Sequence, residues 1–172
     1  MKGYRYGARR SHHILLVSLC CLLWGTSLAH AASLQDELCE EYVAHTGNNA
    51  TLIVPVDAIQ TNGGFTLQEG DLIAAFNSNG LCVGEAIWNG DNLALTLWGN
   101  DGMTESTDGL VAGETFYLKL WSNELGTVIN SETAEVSLRL SDARPHFRSE
   151  ARYSPDAIYV VEELRIAYKQ DN

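Results

Sequence analysis

The sequence predicts an all-β fold, an antiparallel, jelly-roll-like β-sandwich in a single domain. Three observations predict it. Seven or more short apolar runs recur at steady spacing with turn residues between them. Two of these runs alternate cleanly: Leu93, Leu95 and Leu97 oppose Ala94, Thr96 and Trp98, and Phe116, Leu118 and Leu120 oppose Tyr117, Lys119 and Trp121. A third pair of runs, Leu72–Phe76 and Leu81–Ile87, flanks Asn77-Ser78-Asn79-Gly80, whose Asn and Gly tolerate the positive φ of a tight hairpin. No internal repeat, low-complexity tract or βαβ unit competes with this pattern.

The chain begins with a segment expected to lie outside the fold. Lys2, Arg5, Arg9 and Arg10 precede an apolar stretch from Ile14 to Leu28, and Ala29-His30-Ala31 places small residues where a signal peptidase reads, so residues 1–31 are expected to be a signal peptide. The apolar stretch is short for a membrane span, and after cleavage no segment is expected to insert in a membrane. Residues 32–50 then form an N-terminal extension tied to the domain, and residues 51–172 the sandwich itself. Leu34, Leu38 and Tyr42 recur at four-residue spacing among acids, the mark of a short helical turn.

The strands follow in order. Thr51–Val56 reads as a strand with Pro55 near its end, a position that suits an edge or bulge. Thr61–Gly64 is a turn, and Phe65–Leu67 a short extended piece leading to the hairpin. Asn89-Gly90-Asp91-Asn92 separates the hairpin from the strand Leu93–Trp98, and a polar loop from Gly99 to Gly109 follows. Gly113-Glu114 leads into Phe116–Trp121, Asn123–Gly126 is a turn, and strands are expected at Thr127–Ile129 and Ala134–Leu140. Ser141–Pro155 is irregular and locally basic. Ala157–Tyr168 closes the chain as a strand apolar on both parities near its start, with a helix over Val161–Lys169 as the alternative.

Charge and cysteine usage bound the function. Beyond the leader there are seven basic side chains against 22 acidic ones, a net charge of −15 where the whole chain carries −11. That balance argues against nucleic acid or an anionic membrane surface as a partner. Cys20 and Cys21 fall in the leader, which leaves Cys39 and Cys82 in a compartment that permits oxidation. A disulfide between them is expected, with two free thiols as the alternative. Their spacing offers neither a CxxC redox site nor a zinc cluster.

Candidate sites are few. Asp101, Glu105 and Asp108 concentrate hard oxygen ligands in the Asn100–Gly109 loop and are the candidate ligands of a structural calcium, although the loop lacks the EF-hand register. The competing reading is a solvated polar turn. His45 and His146, with Glu41 or Glu150, are the candidate set for a transition metal, without any HxH, HxxH or HExxH pattern to support it. No G-x-S-x-G elbow is present, and no enzymatic activity is expected. Trp98, Tyr117 and Trp121 lie opposite the apolar face of their strands. They therefore form a candidate aromatic surface for glycans or a protein partner, against the reading that they pack a core. Arg139, Arg144, Arg148 and Arg152 make the one basic cluster, expected either to pair with the protein's own acids or to meet a second acidic copy of the chain.

The stretch GDLIAAFNSNGLCVGEAIW, followed by LALTLWGNDGMTESTDGLVAGETFYLKLW, resembles a β-sandwich module found in secreted and cell-surface bacterial proteins, often in large extracellular polypeptides or ahead of a sorting domain. The likeness rests on GD before an Ile-containing strand, G-x-C-V-G, W-G-x-D and D-G-x-x-x-G-E, and spans about Thr51 to Trp121. It implies a secreted or periplasmic, structural or adhesive module that acts by self-association or on other extracellular proteins, and it carries over no catalytic residue. The alternatives are a carbohydrate-binding module and a periplasmic metal-binding protein.

Overall fold

Nine β-strands run through the residues that the computed structural model describes, which are Leu38, Cys39, 44–129 and 134–169. The predicted leader and most of the predicted helical turn, including Leu34 and Tyr42, lie outside the described residues. The strands are β1 Asn48–Val54, β2 Ile59–Asn62, β3 Leu72–Phe76, β4 Cys82–Ile87, β5 Leu93–Gly99, β6 Tyr117–Ser122, β7 Thr127–Ile129, β8 Ala134–Leu140 and β9 Ile158–Tyr168. They form two sheets, one ordered β2-β9-β1-β5 with β8 also on β9, the other β4-β3-β6-β7. The fold is the expected all-β sandwich.

Among the described strands, the parallel ladders both involve the last one. β9 runs parallel to β1 from Thr51↔Ile158 to Ile53↔Val160, and parallel to β2 from Ile59↔Leu164 to Asn62↔Ala167. β1 and β2 are thus one track along β9, broken by a 3₁₀ turn at Val56–Ala58 that Pro55 starts with φ −64°. Proline has no N–H for a ladder, so β1 ends at Val54 and does not run on to Val56 as expected. No tight turn joins β1 to β9, so local chain geometry does not impose their direction.

The closing strand is a strand throughout and not a helix. It also holds a bulge: Leu140 faces Val161 while Arg139 faces Glu163, which leaves Glu162 as the extra residue. The inward set therefore changes parity along β9, from Tyr159 and Val161 to Leu164 and Ile166, all at most 1% exposed. What reads in the sequence as a strand apolar on both sides is one apolar face re-aimed by a bulge. The same bulge brings both Glu162 and Glu163 to Arg139, at 2.5 and 2.9 Å.

The main core lies between the sheets, with Leu52, Leu95, Leu97, Tyr159 and Leu164 from one layer against Ile73, Val83, Leu118, Leu120 and Ile129 from the other. Each full burial of such a side chain contributes about 1.5–3 kcal/mol relative to exposure. Gly84 allows the edges β4 and β5 to meet, because a Cβ there would overlap the Thr96 carbonyl oxygen. The hairpin is closed at its base by Gly70 N–H to the Trp88 carbonyl (2.8 Å) and Trp88 N–H to the Asp71 carbonyl (2.7 Å). The fully buried Asp71 carboxylate accepts the N–H groups of Gln68 and Asn123, both at 2.8 Å, and so ties that base to the turn after β6.

A second, smaller core sits on the outer face of the β4-β3-β6-β7 sheet. Leu72, Ala74, Phe76, Cys82 and Trp121 are covered there by Leu38 and Cys39. The expected disulfide is present, Cys39–Cys82, with a Cα–Cα distance of 5.3 Å. Both faces of β3 are therefore buried, which is why Leu72–Phe76 is apolar at every position rather than at alternate ones.

Candidate interaction surfaces

The three aromatic residues expected to form one surface are divided between two sheets. Trp98 is on β5, paired with Asn49 of β1, and meets the His45 ring edge-on at 5.2 Å. Tyr117 and Trp121 are on β6 in the other sheet. Trp121 is 4% exposed and belongs to the outer core, its Nε1–H donating to Asn123 Oδ1 at 3.3 Å. Tyr117 is the most exposed of the three, at 39%, and Trp98 is half-buried. It stacks on Phe76 at 5.8 Å, and the Lys119 ammonium sits 4.3 Å from the Phe76 centroid. A cation over a ring face is held by the ring quadrupole, so Lys119 and Tyr117 are fixed side by side over one buried ring.

Tyr117 and Lys119 also form one wall of a trough of about 500 Å³, whose other wall is Ala134, Glu135, Val136 and Leu138 of β8. Two strand edges flank it, one from each sheet. The described residues of β7 pair with Leu120–Ser122, and the Tyr117–Lys119 edge of β6 pairs with no described strand on that side. β8 pairs with β9 on one side and with no other described strand. Unpaired strand edges are the part of a sheet most ready to accept another chain. Residues 130–133, which connect β7 to β8, lie outside the described residues.

The polar loop predicted as a calcium site folds around its own carboxylates. Asp101 Oδ2 accepts the Gly47 N–H at 2.8 Å and Oδ1 accepts the Met103 N–H at 2.9 Å. These bonds hold the Asp101 carboxyl below the usual carboxylate range. Asp108 Oδ2 accepts the Thr104 hydroxyl at 2.9 Å, and Glu105 is exposed. The loop closes on itself through Asn100 N–H to the Leu110 carbonyl and Leu110 N–H to the Trp98 carbonyl. It is a pinned polar loop, with Asp101 capping the turn before β1. Among the described residues, no three His, Cys, Asp or Glu side chains gather as a metal-holding group.

His45, at φ +66°, packs on Trp98, whereas His146 packs on Phe147 at 4.7 Å. Glu150 is paired with Arg152 at 3.4 Å, and Glu41 lies outside the described residues. Of the basic cluster, Arg139 is held by two glutamates, which raise its already high pKa further. Arg148 and Arg152 line a second trough, also of about 500 Å³, between 147–154 and Ala112-Gly113.

Lys119, Glu135 and the unpaired edges of β6 and β8 were not singled out by the sequence. Among the described residues no helix is long and apolar enough to cross a membrane. Comparison with family models, with curated proteins and with solved structures gave no match.

Proposed function

We propose that this chain is a secreted, non-enzymatic β-sandwich module that acts by protein–protein association in structural or adhesive assemblies at the cell exterior. The observation that carries the reading is the trough between β6 and β8, where an edge of each sheet has no described partner strand. Two further features support the setting. A disulfide such as Cys39–Cys82 is typical of oxidising compartments and supports this setting, as do the leader pattern and the resemblance to secreted bacterial modules.

The test is sedimentation equilibrium over a wide concentration range, together with cross-linking on intact cells. The expected result is reversible association that Tyr117→Asp weakens at least tenfold while the far-UV spectrum stays unchanged, since the substituted ring is already half in water. A chain that is monomeric at every concentration and cross-links to nothing at the cell surface overturns the reading.

Carbohydrate binding is the second reading, favoured by the exposed Tyr117 ring on the wall of the same trough with Lys119 and Glu135 beside it. Glycan binding lost in Tyr117→Ala, without any self-association of the parent chain, would replace the first reading with this one.

A further inference from the structure

The second trough has a chemistry of its own. Arg152 makes one loose ion pair with Glu150 at 3.4 Å, with side chains 63% and 78% exposed, and donates to the Gly113 carbonyl at 3.3 Å. Pairs so exposed contribute little. The Arg148 guanidinium makes no hydrogen bond or ion pair with any described residue. Two cationic side chains four residues apart thus face one trough with most of their hydrogen-bonding capacity unused.

The backbone that presents them is pinned. Arg148 N–H donates to the Ile158 carbonyl, Phe116 N–H to Ala151, Tyr153 N–H to Glu114 and Gly113 N–H to Tyr153, all between 2.8 and 3.1 Å. The buried Tyr159 hydroxyl donates to the Arg152 carbonyl at 2.5 Å and accepts the Ser154 N–H at 2.9 Å. The segment is held to the start of β9 and to the run before β6, so little backbone ordering is left to oppose binding.

That same bonding selects the ligand. A peptide that adds to a sheet recognises main-chain groups, and those of the trough are largely engaged within the protein. Side chains remain: two guanidiniums, the hydroxyls of Ser149 and Ser154, and the Phe147 ring. Guanidinium pairs with carboxylate in a planar, two-bond geometry, hydroxyls exchange hydrogen bonds with sugar hydroxyls, and a ring packs against the C–H face of a sugar. A polyanion is disfavoured by the net charge of −11 and by Glu150 in the trough itself. A single carboxylate is attracted at short range and feels that field least.

We propose that the Arg148–Arg152 trough binds a uronic-acid unit set among neutral sugars in an extracellular polysaccharide, with its carboxylate on the two guanidiniums. The site shares no residue with the β6–β8 trough and does not depend on the association reading.

Titration calorimetry of the disulfide-bonded protein with a xylo-oligosaccharide bearing one glucuronic acid branch tests it. Binding is expected to fall about tenfold or more when the carboxyl group is reduced to the alcohol, and by a similar factor in Arg148→Gln and in Arg152→Gln, as for loss of a charged hydrogen bond. Arg144→Gln, outside the trough, is expected to bind as the parent does. The Arg148 guanidinium makes no hydrogen bond or ion pair with a described residue and only acts at longer range on Tyr159, so its variant keeps the test decisive even if Arg152→Gln is destabilised. No binding by the parent, equal binding of the reduced sugar, or binding of a glutamate-bearing peptide in place of the uronate would each overturn the proposal.

Discussion

Tyr153 and Tyr159 are both buried phenols, at 2% and 0% exposure, yet only Tyr159 has a hydroxyl with described partners. The Tyr153 hydroxyl lies against Gly99, in the space a Cβ there would occupy. Its pKa is pushed up to about 12, first by burial and then by the charges it would meet at Tyr159 and Asp156. Tyr159→Phe is expected to cost about 2–3 kcal/mol, because the Ser154 N–H and Arg152 carbonyl lose their partner. Tyr153→Phe is expected to be neutral or slightly stabilising at neutral pH. Urea denaturation of the two variants measures the contrast.

The same pair predicts a response to alkali. Tyr153 stays protonated in the folded chain while the unfolded phenol ionises near pH 10. Between about pH 10 and 12 the unfolded state therefore holds fewer protons, and stability falls as pH rises. Two pH units correspond to about 2–3 kcal/mol. Tyr153→Phe should flatten the decline in that window, as read from denaturation midpoints against pH.

Gly84→Ala should be among the most damaging single-methyl changes. Its Cβ would overlap the Thr96 carbonyl oxygen, which belongs to a backbone and has no rotamer to yield. A loss of about 3 kcal/mol is expected from separating β4 and β5. Gly80→Ala meets no such neighbour; its φ of +84° makes a strained turn the only penalty, of about 1 kcal/mol. Equal effects in thermal denaturation would show that the two edges are not held by this contact.

Reducing the disulfide should uncover the outer core without unfolding the main one. The bridge spans a sequence separation of 43, for which loop closure accounts for about 4 kcal/mol. Leu38 and Cys39 cover Leu72, Phe76 and Trp121, so Cys39→Ser is expected to red-shift tryptophan emission and increase binding of an apolar dye. The β-sheet far-UV spectrum should persist.

Asp101 gives an acid-sensitive contact. Its folded pKa is depressed by the Gly47 and Met103 N–H groups, so its contribution is present at neutral pH and is lost as pH falls through the folded value. Amide exchange at Gly47 and Met103, corrected for its intrinsic pH dependence, should accelerate on acidification. Asp101→Ala should show that faster exchange already at neutral pH.

The hairpin was readable locally. Asn77 Oδ1 accepts the N–H groups of Asn79 and Leu81, and Gly80 takes φ +84°, as the Asn-Ser-Asn-Gly turn requires. Face alternation in β5 and β6 was equally legible. The shared aromatic surface was not, because parity tells which side of its own sheet Trp98 or Trp121 occupies and says nothing of which sheet that is. The bulge at Glu162 was hidden for a related reason: the extra residue exists only relative to a partner strand.

The sequence alone determined short-range features: the turns at Asn77–Gly80, Asn89–Asn92 and Asn123–Gly126, which residues share a strand face, and the cysteine pair once Cys20 and Cys21 are assigned to the leader; it read Thr61 and Asn62 as turn where β2 runs, and carried the first strand through Pro55. These follow from dihedral preferences and side-chain periodicity acting over a few residues. Only the tertiary structure decided that β9 runs parallel to β1, that Arg139 meets two glutamates, that Trp121 lies beneath Leu38 and Cys39, and that β6 and β8 flank a trough. Those outcomes join residues far apart in the chain, and they are set by how two apolar faces pack, which no local preference encodes.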